Sequence, residues 1–192
     1  MLINNLKIKR IFRLLKKAFE DEDFEKCIEY SNLILEYDEY NLEALYYKSD
    51  CLAKLGDLDA ALDVADIIIK LKPSCVNLLV KATLIAFKED YVLAFSLFDE
   101  ILDKWPHFEK ALINKCYFLH CSEKWDEIID STDEFIKNNP DSSNAYDIKA
   151  AAYESKQDFH NALIYVNKAL ELDSNNAIAL DRKKKILSEM DN

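Results

Sequence analysis

Few side chains in the sequence are of the kinds that catalyse reactions or bind metal ions, and their spacing does not match a catalytic or metal-binding motif. None of the three histidines, His107, His120 and His160, has a glutamate or cysteine at metal-site spacing. The five cysteines include no CxxC pair, which indicates reduced, unpaired thiols in a cytoplasmic protein. A single glycine cannot build a phosphate-binding loop. We therefore expect no enzyme, with no catalytic residue, no metal and no cofactor.

Charge is unevenly distributed along the 192 residues, whose net charge is −11. Residues 1–17 contain six basic side chains and no acid, residues 182–185 are all basic, and the chain between them is acidic. An acidic body repels phosphates, so we expect no nucleic acid partner. The same charge favours basic partners through steering. We also expect neither a membrane span nor a secretory signal, because no apolar run is long enough.

One period of 33 or 34 residues runs through the chain. Pro73, Pro106 and Pro140 follow it. A column of aromatic or leucine residues also keeps the period, at Phe24, Leu58, Tyr91, Trp125 and Phe159, and so does a lysine column at Lys48, Lys81, Lys115, Lys149 and Lys183. Each period contains two stretches of helical spacing, with a turn between them and often a proline after the second. The pattern predicts an all-α chain of helical hairpins.

These hairpins resemble the tetratricopeptide repeat (TPR). Residues 145–176, AYDIKAAAYESKQDFHNALIYVNKALELDSNN, match its aromatic and small columns best, through Tyr146, Ala150, Tyr153, Phe159, Ala162 and Ala169. The resemblance implies a right-handed α-solenoid of about five hairpins in a single domain, 1–192. The period predicts repeats at 8–41, 42–74, 75–108, 109–142 and 143–176, with a polar capping helix at 177–190.

Two columns depart from the TPR pattern. The turn between the paired helices has glycine only at Gly56, and elsewhere carries Glu22, Glu89, Glu123 or Gln157. The lysine column stands where leucine is common in the family. A lysine stem can lie on apolar surface while its ammonium group reaches water, so we expect a structural role for these lysines.

The resemblance also implies that the first helix of each hairpin lines a concave groove. By helical spacing, the predicted groove residues are Phe12, Lys16, Phe19, Tyr46, Asp50, Leu79, Thr83, Phe87, Ile113, Tyr117 and His120. Further along, Asp147 and Glu154 make the same face acidic. Rigid aromatic side chains are typical interface anchors, but they could equally pack between neighbouring repeats.

We therefore expect a protein-interaction scaffold or adaptor that binds an apolar, aromatic or basic segment of another protein in this groove. The alternative is a membrane-peripheral assembly factor, held on anionic lipid by the basic helix at 7–17. Membrane contact is the less favoured of the two, because the same segment is also predicted to be the first helix of the fold. The open ends of a short solenoid allow two copies of the chain to associate, so a homo-oligomer is compatible with the sequence.

Overall fold

Eleven α-helices account for most of the part of the chain that the computed structural model describes, residues 2–191, with side chains from Leu6 onward. No strand occurs in this range. The helices are α1 (Leu2–Glu20), α2 (Phe24–Leu35), α3 (Leu42–Lys54), α4 (Leu58–Leu71), α5 (Cys75–Phe87), α6 (Tyr91–Lys104), α7 (Glu109–Cys121), α8 (Trp125–Asn138), α9 (Ser143–Ser155), α10 (Phe159–Leu172) and α11 (Ala177–Met190). The predicted all-α class is confirmed, and α11 is the predicted C-terminal helix.

Polar residues begin most of these helices. Asn41, for example, accepts a hydrogen bond from the Ala44 amide at 3.1 Å, and Asp158 accepts one from the Asn161 amide at 3.1 Å. Such caps satisfy amides that have no partner within the helix. The helix starts are therefore determined by local sequence.

The turns within the hairpins use a left-handed backbone conformation. Gly56 has a φ of 81°, and the residues of the same column also have positive φ: Glu22 (57°), Glu89 (64°), Glu123 (55°) and Gln157 (61°). This conformation suits glycine and costs other L-residues about 1–2 kcal/mol. Four turns are therefore built on strained non-glycine residues.

The chain divides into two compact units, Met1–Ala94 and Phe95–Asn192, here called unit 1 and unit 2. In unit 1, successive helices from α1 to α5 pack together. Its buried core includes Leu15, Cys27 and Ile34 between α1 and α2, and Ala65 and Ile68 on α4. The predicted single domain and its repeat boundaries stay a prediction.

In unit 2, successive helices from α7 to α11 pack together, and α9 also contacts both α7 and α11. Its buried core includes Leu112, Leu119 and Phe135 in one cluster, and Val166 and Ile186 in another. Across the described residues, no helix combines the length and apolar character needed to cross a membrane.

Three lysines of the column form ion pairs with the second helix of the preceding hairpin. In unit 1, Lys81 Nζ lies 2.6 Å from Asp66 Oδ1. In unit 2, Lys115 Nζ lies 2.6 Å from Asp99 Oδ1, and Lys149 pairs with Asp133.

The expectation that the lysine ammonium groups reach water is wrong for Lys149, which is only 4% exposed. Its ammonium group lies 4.0 Å from the centroid of the Tyr165 ring as well as against Asp133. Burial alone would lower the pKa of Lys149, but the hydrogen bonds to Asp133 and Tyr165 outweigh it and raise the pKa.

Candidate partner-binding faces

The predicted groove residues of α1 contribute mainly to packing within unit 1. Phe12 and Phe19 are half-buried against the core between α1, α2 and α3. The Phe19 ring meets the Tyr47 ring edge-on, with centroids 5.1 Å apart. Lys16 is exposed, and its Nζ lies 2.9 Å from Glu43 Oε1 on α3. In α1, the structure therefore favours the packing interpretation of the two phenylalanines.

Tyr46 and Asp50 lie on the exposed side of α3. The Tyr46 hydroxyl donates to Asn77 Oδ1 at 3.2 Å, and the amide nitrogen of the buried Asn77 side chain donates to the Lys72 carbonyl at 2.7 Å. These bonds hold the Tyr46 ring beside the first turn of α5 while part of the ring stays exposed. Tyr46 is thus positioned rather than mobile on the surface.

On α5 the exposed side chains are only partly the predicted ones. Phe87 is exposed, but Leu79 is only 9% exposed, and Thr83 is half-buried with its hydroxyl donating to the Leu79 carbonyl at 2.8 Å. Val76 and Val80, which were not among the predicted groove residues, are exposed. Val76, Val80 and Phe87 follow the i, i+4, i+11 spacing of one helix face, a signal present in the sequence. Tyr46, Val76, Val80 and Phe87 are called the unit-1 face below.

In unit 2, the three predicted residues of α7 lie on one side of the helix, at i, i+4 and i+7. Ile113, Tyr117 and His120 are all exposed, and Tyr117 is 59% exposed. The Tyr117 ring packs edge-on against Phe118 at 5.1 Å between centroids, and the His120 ring packs edge-on against Trp125 at 4.7 Å. These three residues are called the unit-2 face.

The predicted acidic end of the groove is neutralised by α11. Arg182 Nε donates to Asp147 Oδ1 at 2.8 Å, and its Nη1 nitrogen donates to Glu154 Oε2 at 2.9 Å. Lys185 Nζ lies 2.5 Å from Glu154 Oε1. Asp147 is buried, so the expectation of an open acidic surface here is wrong. Two carboxylates on one side of α9 attract the basic segment of α11, which lies close to them within the same unit.

The pKa of Glu154 reflects this pairing. Burial alone would raise the pKa of the carboxyl group, but hydrogen bonds from Lys185 and Arg182 and their positive charges hold it below its ordinary value. Both carboxylate oxygens of Glu154 are therefore engaged within unit 2.

A cavity of about 530 Å³ lies between α6 and α8 in unit 2. Leu102, Pro106 and Phe135 form its apolar wall, and its polar lining consists of Asp99, Asp103, Lys115, Ser131, Glu134 and Asn138. The Lys115–Asp99 pair contributes no net charge, which leaves Asp103 and Glu134 as the acidic part of the lining. None of these residues was predicted as a site. Within residues 6–191, no group of His, Cys, Asp and Glu side chains could hold a metal ion.

No protein-family profile and no curated protein sequence matches the chain. Solved structures do match its fold. MamA residues 41 to the C-terminus from Desulfovibrio magneticus RS-1 are 19% identical with a TM-score of 0.66, covering 89% of this chain and 97% of that one. YrrB, described as a TPR protein with an unusual peptide-binding site, is 16% identical with a TM-score of 0.59, covering 91% and 90%.

A third similar structure is TTC0263, a thermophilic TPR protein of Thermus thermophilus. It is 17% identical with a TM-score of 0.59, and the match covers 94% of this chain and 98% of that one. Identities this low support the fold alone and not a shared partner. They confirm the resemblance that the repeat period indicated: the chain has the fold of the tetratricopeptide repeat proteins.

Proposed function

We propose that the protein is a non-enzymatic interaction scaffold that binds a segment of a partner protein on the exposed faces of its first helices. The observation that carries the proposal is the exposure of large side chains there, above all Tyr117 with Ile113 one turn before it. Aromatic residues that are rigid and partly exposed are the usual anchors of protein interfaces. A cytoplasmic location belongs to the same proposal.

The unit-2 face supports binding because its side chains are already ordered. Tyr117 rests against Phe118, and His120 rests against Trp125, so little side-chain entropy is lost when a partner covers them. Fully burying an exposed isoleucine side chain contributes about 1.5–3 kcal/mol, and covering the exposed 39% of Ile113 contributes a corresponding part of that. A short apolar or aromatic segment would therefore gain most of its affinity from two or three such contacts.

The unit-1 face offers a second apolar surface of the same kind. Tyr46 is held by Asn77, and Val76, Val80 and Phe87 follow along α5. The exposed carboxylate of Asp50, one turn after Tyr46 on α3, favours a partner segment with a basic residue beside its apolar anchor. YrrB, with its peptide-binding site, is a precedent for peptide recognition by this fold.

Quantitative co-purification tests the proposal. The double variant Tyr46→Glu/Tyr117→Glu places a charge on each face, and we expect it to lose the partners that the wild type retains. Tyr37→Glu/Tyr40→Glu is the matched control, because Tyr40 is also 59% exposed but lies outside both faces. The two single variants then identify the unit that binds. The proposal fails if the double variant keeps the same partners as the control at the same abundance.

A further inference from the structure

The outward side of α1 exposes charged residues at positions that are buried in every later first helix. Arg10 and Lys17 are exposed on α1. The residues that follow Arg10 at the repeat period are Ala44, Asn77, Ala111, Ala145 and Ala179, and those that follow Lys17 are Cys51, Leu84, Phe118, Ala152 and Ile186. All ten are buried. These columns are therefore where a first helix packs against a neighbouring helix.

These columns share buried clusters with the second helix of the preceding hairpin, as Ala44 and Cys51 do with Cys27 of α2. Within unit 1, α3 packs against α2 and α5 packs against α4, and within unit 2, α9 packs against α8 and α11 against α10. On α1, the same side presents Leu14, 41% exposed, between Arg10, Arg13 and Lys17, with the exposed Leu6 one turn earlier. These five residues are called the α1 edge.

Ion pairs between helices of this chain indicate which charges a helix needs in order to pack on such a surface. Asp66 on α4 pairs with Lys81, Asp99 on α6 pairs with Lys115, and Asp133 on α8 pairs with Lys149. In these pairs the second helix supplies the carboxylate and the first helix supplies the cation. At the position of these lysines α1 has Leu14. The positive charge of the α1 edge comes instead from Arg10, Arg13 and Lys17, where α5, α7 and α9 carry uncharged residues.

The charges of the α1 edge are not neutralised within the described part of the chain. Lys16, on the other side of α1, pairs with Glu43. Among residues 6–191, the ion pairs do not include Arg10, Arg13 or Lys17. A partner carboxylate would therefore form a new pair without breaking an old one.

We propose that the α1 edge docks an acidic amphipathic helix of a partner protein, packed across Leu14 in the way that second helices pack across first helices within this chain. A helix fits better than a bilayer, because between Leu6 and Glu20 α1 buries Leu15 and Ala18, and Leu6 and Leu14 are the large apolar side chains of that stretch that are strongly exposed for insertion. This surface is distinct from the unit-1 and unit-2 faces, so its test is independent of theirs.

A labelled peptide with the α8 sequence, WDEIIDSTDEFIKN, is the probe. It contains five acidic residues and one lysine, and its Asp133 belongs to the ion pair with Lys149. We expect wild-type protein to bind it at about 50 mM NaCl, with weaker binding at high salt, because the attraction is screened. Arg10→Glu/Arg13→Glu/Lys17→Glu should weaken binding at least about tenfold, since three attractive charge pairs become repulsive.

Lys70→Glu/Lys137→Glu/Lys184→Glu is the matched control, because it makes the same change of net charge at three exposed lysines away from α1. It should weaken binding by less than about threefold, through the general field of the protein alone. A peptide with the same composition in scrambled order should bind less tightly. Tyr46→Glu/Tyr117→Glu should weaken peptide binding by no more than the lysine control does, which separates this proposal from the proposed function.

Three results would overturn the proposal. The first is no binding of the α8 peptide by the wild type, and the second is equal weakening by the α1 variant and its control. The third is sedimentation of the wild type, but not of the α1 variant, with vesicles containing anionic phospholipid while the peptide fails to bind. That result would assign the α1 edge to a membrane surface instead.

Discussion

Arg182 on α11 donates its Nε proton to Asp147 on α9 at 2.8 Å, across 35 residues of sequence. Asp147 is 6% exposed, so this carboxylate has little water to replace its partner. The same guanidinium group also reaches Glu154 at 2.9 Å. One arginine therefore bridges two carboxylates and fixes α11 on α9 within unit 2.

Arg182→Ala should destabilise the protein by about 2–4 kcal/mol, because it leaves a buried carboxylate without its partner. Urea unfolding measures the loss, and hydrogen exchange should show that the amides of α11 lose protection first. Lys184→Ala, at an exposed position of the same helix, is the control and should change the stability by less than about 0.5 kcal/mol. Equal effects of the two changes would contradict the role of Arg182.

Glu154 should make stability depend on pH in the acid range. Its pKa is lowered in the folded state, so its contribution is present above the ordinary value of 4.5 and is lost as the pH falls through the folded pKa. Glu154→Gln should therefore be less stable than the wild type near neutral pH and lose less stability on acidification below 4.5. Urea unfolding over a pH series measures the slope of the free energy of unfolding against pH. Glu134→Gln, at an exposed position, should keep the wild-type slope.

Replacing Asp133 should lower the free energy of unfolding more than replacing its partner Lys149. Asp133→Ala leaves the buried ammonium of Lys149 without its carboxylate and should cost about 2–4 kcal/mol. Lys149→Leu leaves Asp133, whose side chain is 48% exposed, in contact with water, so the free energy of unfolding should fall by less than about 1 kcal/mol or rise. Chemical denaturation of both variants measures the two changes in the free energy of unfolding. A large loss in Lys149→Leu alone would show that the lysine itself stabilises the fold.

Glu123→Gly should stabilise the protein by about 0.5–1 kcal/mol, because the residue has a φ of 55° that glycine adopts without steric cost. Glu100→Gly, at an exposed position in the interior of α6, is the control and should destabilise by about 1 kcal/mol. Thermal unfolding compares the two variants. Destabilisation by Glu123→Gly would mean that the entropy of the unfolded chain outweighs the relief of strain.

The period of the sequence was sufficient to predict the helical hairpins and the C-terminal helix, because capping, turns and apolar spacing act over a few residues. Exposure was harder to predict. Leu79 and Val80 are neighbours on α5, yet only Val80 is exposed, and which one is covered depends on the side chains of other helices. Arg182 could not be assigned to Asp147 for the same reason, since the pair depends on how α11 lies on α9.

Site-specific photo-cross-linking from position 117 in cells tests the central claim most directly, with position 40 as the equally exposed control. A benzophenone side chain at either position replaces a tyrosine of equal exposure. We predict a discrete cross-linked species, of one protein or a few, from position 117 and not from position 40. No adduct from position 117, or the same adducts from both positions, would contradict the account of Tyr117 as an anchor for a partner.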